Sequence, residues 1–266
     1  MRFCAFASGS SGNCIYTGSE STHVLVDVGI SGKRVENALN DAGLTGRDLS
    51  GILITHEHAD HIGGLGVISR KYGIPIYASE ATIEAIKKDK ATGVIDESLF
   101  VPIVSDKKFL IGDLTINPMK ISHDAADPLA YRISCESKRV AVCTDLGNYD
   151  EYTVDCLSNL DAVLLESNHD IKMLQVGPYP YPLKQRILGN RGHLSNEASG
   201  RLLSRILHDG MKRVFLGHLS QENNLPDLAY EAVRLEITMS QDNSYRGDDF
   251  NISVAKRSEP SEMIEI

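Results

Sequence analysis

The chain has 266 residues, 42% hydrophobic and 24% charged, with a formal net charge of -9. This composition excludes collagen-like and disordered chains. A chain this long buries roughly three quarters of its unfolded surface, so it needs neither disulfides nor a structural metal in order to fold. Its five cysteines (Cys4, Cys14, Cys135, Cys143, Cys156) are odd in number and form no C-x-x-C pair, which excludes a disulfide framework and a thiolate zinc knuckle and points to a reducing compartment. Met1 to Ala7 is apolar only briefly before the polar run Ser8 to Asn13, too short for a signal-peptide core or a membrane span, so a cytoplasmic protein is expected. With a pI near 5.5, a polyanionic substrate has to be met by a local basic patch or by bound cations.

In chain order, the short β-branched runs Arg2 to Phe6, Cys14 to Thr17 and His23 to Val28 predict three strands separated by Gly/Ser/Asn turns. Val35, Ala38, Leu39 and Ala42 recur at helical spacing between Ser31 and Gly43, with Gly43 suited to a C-terminal cap. Gly51 to Thr55 reads as a buried strand, Ile62 to Tyr72 as a helix and Pro75 to Tyr77 as a strand. Leu114 to Ile121, Ala130 to Cys135 and Arg139 to Cys143 predict an antiparallel meander, and Ala162 to Leu165 and Arg213 to Leu216 two further strands. Helices are expected over Ser195 to Leu207 and Pro226 to Leu235, with Ile171 to His193 as a long loop. Strands and helices in both halves predict an α/β protein of αββα type, two sheets face to face with helices outside. No Pro/Gly/Ser-rich linker breaks the chain, so one domain is expected over 1–255, followed by a loose polar tail over 256–266.

After the strand Gly51 to Thr55 comes Thr55-His56-Glu57-His58-Ala59-Asp60-His61, three histidines and two acids within six residues. His56 and His58, two apart on extended backbone, project to one side, while Asp60 and His61 turn into the next helix, an arrangement suited to two adjacent cations. The plain alternative is a polar helix start with Asp60 as a cap and solvated histidines; so dense a set of imidazoles and carboxylates favours metal.

The H-x-H-x-D-H pattern of His56, His58, Asp60 and His61 resembles that of the metallo-β-lactamase-fold hydrolases. Their early Asp is matched by Asp27, a later His by His123, an Asp by Asp145 and a final His by His218, all in order. The resemblance implies that His56, His58 and His123 hold one metal, Asp60, His61 and His218 the other, and that Asp145 bridges them. His123, Asp145 and His218 each end an apolar run, where site residues of layered α/β folds gather. Asp27 is expected to orient ligands without touching metal, with a turn acid as its plain alternative.

Gly-His-Leu-Ser occurs twice, at Gly192 to Ser195 and Gly217 to Ser220. His218 follows the strand Val214-Phe215-Leu216 as a ligand should, which leaves His193 for acid/base work. Glu166 is placed to orient it, in the manner of ribonuclease Z-like relatives, and His169 is the other candidate for the same role. His193, Glu166 and Asp60 are therefore the expected catalytic residues. His23 and His208 read as ordinary surface or packing residues.

Nitrogen and oxygen ligands suit two Zn²⁺ or Mn²⁺ ions and a bridging hydroxide as nucleophile. No acid lies between Asp170 and Glu197, whereas Lys172, Lys184, Arg186 and Arg191 interleave with Tyr179 and Tyr181, a basic, stacking-capable strip suited to DNA; the alternative is a solvated loop. Ala7-Ser8-Gly9-Ser10-Ser11-Gly12-Asn13-Cys14, Glu166-Ser167-Asn168-His169-Asp170, Gly177-Pro178-Tyr179-Pro180 and Gly192-His193-Leu194-Ser195-Asn196-Glu197 together resemble the YycJ (WalJ) family. That resemblance implies a manganese-dependent 5′ to 3′ exonuclease on DNA with a link to mismatch repair. Ser11, Asn13, Lys184, Arg186, Arg191 and His169 are the expected substrate contacts, the Ser8 to Asn13 loop offering N–H donors to a terminal phosphate. A small phosphodiester or thioester hydrolase of the same fold, and a non-enzymatic regulatory partner, are the competing readings.

Overall fold

The computed structural model describes residues 1–266. The chain runs through β1 (Arg2–Ala7), β2 (Cys14–Gly18), β3 (His23–Val26), α1 (Gly32–Asp41), β4 (Leu49–Leu53), α2 (Ala59–Ile62), α3 (Leu65–Tyr72), β5 (Ile76–Ser79) and α4 (Glu80–Lys88). There follow β6 (Phe100–Ile103), β7 (Phe109–Ile111), β8 (Leu114–Lys120), β9 (Leu129–Cys135), β10 (Lys138–Cys143), α5 (Glu151–Cys156), β11 (Ala162–Glu166), α6 (Ile171–Val176) and α7 (Tyr181–Leu188). The last elements are α8 (Asn196–Ile206), β12 (Arg213–Gly217), α9 (Pro226–Met239), β13 (Ile252–Val254) and β14 (Ile264–Glu265). The strands make two seven-stranded sheets. Contacts divide the chain into one unit of Met1–Lys120, Ala125–Lys138 and Lys256–Ile266 and another of Ile121–Asp124 and Arg139–Ala255.

In the first unit the sheet runs β14-β1-β2-β3-β4-β5-β6, antiparallel up to β3 and parallel beyond it. Phe6, Tyr16, Leu25 and Ile52 from the strands meet Val35 and Leu39 of α1, Leu65 and Ile68 of α3 and Ile83 of α4 in one buried core. The α1 stripe is the expected one, and Gly43 follows it with φ 75°, the left-handed position where glycine ends a helix without strain. The expected helix Ile62 to Tyr72 is two helices, because Gly63-Gly64 interrupts it and Gly64 caps α3. The tail expected to be loose carries β14, which pairs with β1 through Arg2↔Glu265 and Phe3↔Ile264, while Ser261 N donates to Ala5 O.

In the second unit β10, β11, β12 and β13 lie parallel, with Val140 opposite Ala162, Ala162 opposite Arg213 and Val214 opposite Ile252. Val140–Cys143 and Ala162–Leu165 are fully buried, which explains their unbroken apolar runs. Leu202, Leu203 and Ile206 of α8, and Ala229, Val233 and Ile237 of α9, are buried apolar positions of the two long helices. The expected loop Ile171 to His193 instead contains α6 and α7. Asp170 caps α6 by accepting from Met173 N at 2.7 Å, and the Gly177-to-Pro180 stretch separates the two helices. No helix is long and apolar enough to cross a membrane.

Candidate metal centre

The parallel register of β3 and β4, Val26 opposite Leu53, brings Asp27 to the start of the histidine motif. Asp27 is wholly buried. Its Oδ1 accepts Thr55 N at 2.8 Å, and its Oδ2 accepts Thr55 Oγ1 at 2.8 Å and lies 2.7 Å from His61 Nδ1. Burial pushes the Asp27 carboxyl up, opposed by His61 and the Thr55 donors. With Nδ1 committed to Asp27, the hydrogen bonding assigns the His61 proton to Nδ1 and leaves Nε2 as the lone-pair nitrogen, the usual way a carboxylate prepares a ligating imidazole. His61 Nε2 stands 3.5 Å from Asp60 Oδ2 and 3.2 Å from Asn13 Nδ2.

Beside it, Thr55 Oγ1 holds His56 Nδ1 at 3.0 Å, and His56 Nε2 lies 3.0 Å from His58 Nδ1. Donor atoms of one tetrahedral ion with Zn–N bonds of about 2.0–2.1 Å stand roughly 3.3 Å apart, so the spacing of these nitrogens fits a shared divalent ion. Gly29 makes the packing possible. A Cβ there would lie 1.7 Å from Asp60 O, on the strip where Asn13 N donates to Asp60 O and Gly29 N to Asn13 O.

In the second unit the aligned ends of β10, β11 and β12, with Cys143 opposite Leu165 and Glu166 opposite Gly217, place Asp145, Glu166 and His218 together. One ligand atom from each of Asp145, Glu166, His193 and His218 lies within 4.8 Å of the others. Asp145 Oδ1 is 3.3 Å from His218 Nε2 and 3.6 Å from both His123 Nε2 and His193 Nδ1. His123 directs Nδ1 at Gly192 O, 3.1 Å away, which fixes Nε2 as its lone-pair nitrogen; burial holds its pKa below the ordinary histidine value. The donor chemistry and spacing here also fit a divalent ion.

Glu166 is wholly buried and its oxygens are committed elsewhere. Oε2 accepts Leu146 N at 2.8 Å and Leu194 N at 3.0 Å, and Oε1 lies 2.8 Å from His193 Nδ1. That pairing ties Glu166 to His193 within the group that could hold an ion. The His193 ring stacks on His218 with centroids 5.3 Å apart and keeps 20% of its side chain exposed. Gly147 permits the loop carrying Gly192 and His193 to close in, since a Cβ on it would lie 2.5 Å from Asn190 O and Gly192 N.

Asp27 (φ 61°), Asp145 (φ 59°) and His218 (φ 55°) are three of the six non-glycine residues with left-handed backbone, a conformation that costs roughly 1–2 kcal/mol per residue. Of the expected substrate contacts, Ser11 is exposed, whereas Asn13 is buried and bonds the Gly9 amide and carbonyl. Arg186 pairs through Nε with Asp124, Arg191 Nε donates to His123 O at 3.1 Å, and Lys184 Nζ donates to Gln175 O at 2.7 Å. His169 is 1% exposed with neither ring nitrogen hydrogen-bonded, and burial lowers its pKa to about 4. His23 bonds Tyr16 Oη and His208 bonds Leu160 O, ordinary packing roles as expected. Thr55, Gly29 and Gly147 are the site residues that sequence reasoning missed; the place of Thr55 directly before His56 was the one signal available.

A model of the Metallo-beta-lactamase superfamily matches residues 7–218, and the chain belongs to that superfamily, whose fold is the expected αββα sandwich. It is 41% identical over 230 residues, 86% of both chains, to the protein named Exodeoxyribonuclease WalJ of Streptococcus pneumoniae serotype 2. It is 39% identical over 233 residues, 88% of both chains, to Exodeoxyribonuclease YycJ of Bacillus anthracis. The resemblance read from the motifs is thus borne out. Among solved structures, the metallo-beta-lactamase fold protein YhfI from Bacillus subtilis superposes with a TM-score of 0.69 at 17% identity, covering 98% of this chain and 99% of that one, a likeness of fold alone.

Proposed function

We propose that this protein is a dinuclear metal-dependent exodeoxyribonuclease acting 5′ to 3′. The observation that carries the reading is the 41% identity to WalJ across 86% of both chains, together with the pairing of buried Glu166 with His193 beside residues whose donor atoms suit a divalent ion. His56, His58 and His123 would hold one divalent ion and Asp60, His61 and His218 the other, with Asp145 shared; Mn²⁺ and Zn²⁺ both suit these donors. Bound there, the ions supply Lewis acidity at the scissile phosphate and a nucleophile at neutral pH.

The chain's own residues do the rest. Asp27 and Thr55 fix the His61 and His56 rings, and the Gly192 carbonyl fixes His123, so the ligand nitrogens are aimed before any ion arrives. Glu166 holds Nδ1 of His193, which directs Nε2 outward as a proton donor to the sugar oxygen leaving phosphorus. Lys184, Arg186 and Arg191 meet the DNA backbone, and the internal bonds of Arg186 and Arg191 set where their charges stand. Because those bonds already engage the cations, a small phosphodiester hydrolase is the reading that competes. Incubating metal-loaded protein with 5′-phosphorylated duplex DNA and with bis(p-nitrophenyl) phosphate separates the two. Stepwise release of mononucleotides from the 5′ end is the expected result; turnover of the small ester alone refutes the nuclease.

A further inference from the structure

The residues that follow β11, Ser167 to His169, run between the two copies of Gly-His-Leu-Ser. Toward one copy, Ser167 N donates to Gly217 O at 2.9 Å and Ser220 N donates to Asn168 O at 2.8 Å. Toward the other, Asn168 N donates to Leu194 O at 2.9 Å, and Asn196 N, just beyond that copy, donates to His169 O at 2.9 Å. The Asn168 side chain adds a bond that backbone pairing does not require: its Nδ2 donates to the His218 carbonyl at 2.9 Å. The amide has to present its nitrogen there, because a carbonyl only accepts. Asn168 is itself held in place. Asn224 Nδ2 donates to the carbonyls of Ser167 at 2.9 Å and Asn168 at 3.0 Å. Asn224 and Asn196 exchange side-chain bonds at 2.8 and 3.0 Å, and Asn196 Oδ1 also accepts Ser167 Oγ at 2.7 Å. Ser167, Asn168, Asn196 and Asn224 are all buried.

His218 has φ 55°, a conformation that a non-glycine residue keeps only where its surroundings over-determine it. Because a peptide unit is planar, a donor on Gly217 O fixes the plane before the His218 Cα, and a donor on His218 O fixes the plane after it. Ser167 N supplies the first and Asn168 Nδ2 the second. Two adjacent residues thereby set φ and ψ of His218. They also set the direction in which its imidazole leaves the backbone, to stand with Nε2 3.3 Å from Asp145 Oδ1. We propose that Asn168 is a positioning residue for His218, holding its backbone in the left-handed state that brings the imidazole beside Asp145. Since Asn168 N also bonds the carbonyl of Leu194, next to His193, one residue ties the loops of both histidines to the end of β11. The inference rests on the reading of His218 as a metal ligand and is independent of the substrate.

The test is metal binding by the whole chain, read without turnover. Zn²⁺ affinity is measured by competition with a chromogenic chelator in wild type, Asn168→Leu, His218→Ala and the double variant. Asn168→Leu lacks the donor at similar size and should weaken one ion about 10- to 100-fold, the usual effect of removing a group that orients a ligand. His218→Ala should weaken the same ion. Adding Asn168→Leu to it should then change the affinity by less than about twofold, because a residue that acts through His218 has nothing left to position. Cobalt gives a second readout: the visible bands of Co²⁺-loaded Asn168→Leu should depart from those of wild type, whereas a loss of stability alone leaves them in place. Should Asn168→Leu not fold, as judged by circular dichroism, Asn168→Ala takes its place in the cycle. Wild-type affinity and wild-type cobalt bands in a folded Asn168 variant overturn the proposal. So does an equal further loss in the His218→Ala background, which would mark Asn168 as structural. If His218→Ala leaves both ions as tightly held as before, the ligand reading fails and the proposal with it. Digestion of DNA by the wild type in Mn²⁺ is scored separately. The coupled loss of affinity without digestion keeps the positioning role and removes the nuclease reading, while digestion without the coupled loss does the reverse.

Discussion

Nδ1 of His193 lies 2.8 Å from Oε1 of Glu166, and the other Glu166 oxygen is held by the amides of Leu146 and Leu194. The carboxylate is thus immobilised from three directions, and the imidazole inherits that orientation. A proton donor fixed in this way matters most when the departing oxygen is basic. His193→Ala is expected to lower kcat on DNA by about 10² to 10⁴ while the metal content, checked by elemental analysis, stays at the wild-type value. On a p-nitrophenyl diester, whose leaving group departs unprotonated, the loss should shrink markedly. Equal losses on both substrates would reassign His193 to binding. Glu166→Gln should cost roughly 10- to 100-fold on DNA, as for other residues that orient a working side chain.

Reconstitution with Mn²⁺ or Zn²⁺ should give two ions per chain, and Asp145→Asn at most one tightly held. Bound ions stabilise the folded state by about 2.7 kcal/mol for each site at a free concentration 100 times its Kd. Chelation should therefore lower the melting temperature, and re-addition should restore it. A melting temperature indifferent to chelator would contradict the dinuclear reading.

Gly29→Ala would set a methyl 1.7 Å from Asp60 O, a collision with backbone that no rotamer relieves. Displacing that strip should destabilise the fold by about 1–3 kcal/mol, the usual range for overpacking, and loosen metal bound through Asp60 and His61. Urea unfolding measures the first effect and competition with a chromogenic chelator the second.

His169 is buried with a pKa lowered to about 4 from the usual 6.5. Below pH 6.5 the unfolded chain takes up a proton that the folded chain refuses until about pH 4, so the stability this residue contributes is present at neutral pH and lost across that window. The full loss is about 3 kcal/mol. His169→Gln should flatten that part of the acid limb, seen as a smaller difference between urea midpoints at pH 7 and pH 4.5. An acid limb unaltered in the variant would show that His169 takes up its proton alike in both states.

Replacing Lys184, Arg186 and Arg191 together with Ala should reduce the slope of log affinity for DNA against log salt by two to three counterions, at roughly 0.7 to 0.9 each. Arg191→Ala alone should also weaken metal binding, since its guanidinium holds the His123 carbonyl. Filter binding across a salt series checks the first statement and isothermal titration with Mn²⁺ the second.

The residues proposed as ligands stand out in the sequence because each follows an apolar strand, and strand ends are visible as breaks in hydrophobic runs. His56 to His61, Asp145 and His218 could be placed that way, as could the α1 and α8 stripes. What escaped is non-local or short. β14 has two residues and finds its partner at Arg2 and Phe3, at the far end of the chain, so no local pattern announces it. α6 and α7 span six and eight residues, too few turns for a periodicity to emerge, and the Gly-Pro-Tyr-Pro between them reads as loop. Gly29 and Gly147 owe their roles to backbone that approaches from distant segments. The tail over 256–266 is polar in composition, whereas its order comes from contacts with β1 at the far end of the chain.

The left-handed backbone at Asp27, Asp145 and His218 also governs which amino acids can succeed one another there over evolutionary time. Aliphatic replacements lose a candidate ligand, or at Asp27 the carboxylate that orients His61, and keep the steric penalty, so they are disfavoured twice, whereas Asn and Gly tolerate the torsion. Lineages of this fold that abandon metal chemistry should therefore drift toward Asn or Gly at these three positions. The same reasoning makes Asp145→Asn, rather than Asp145→Ala, the natural choice for trapping an uncut strand.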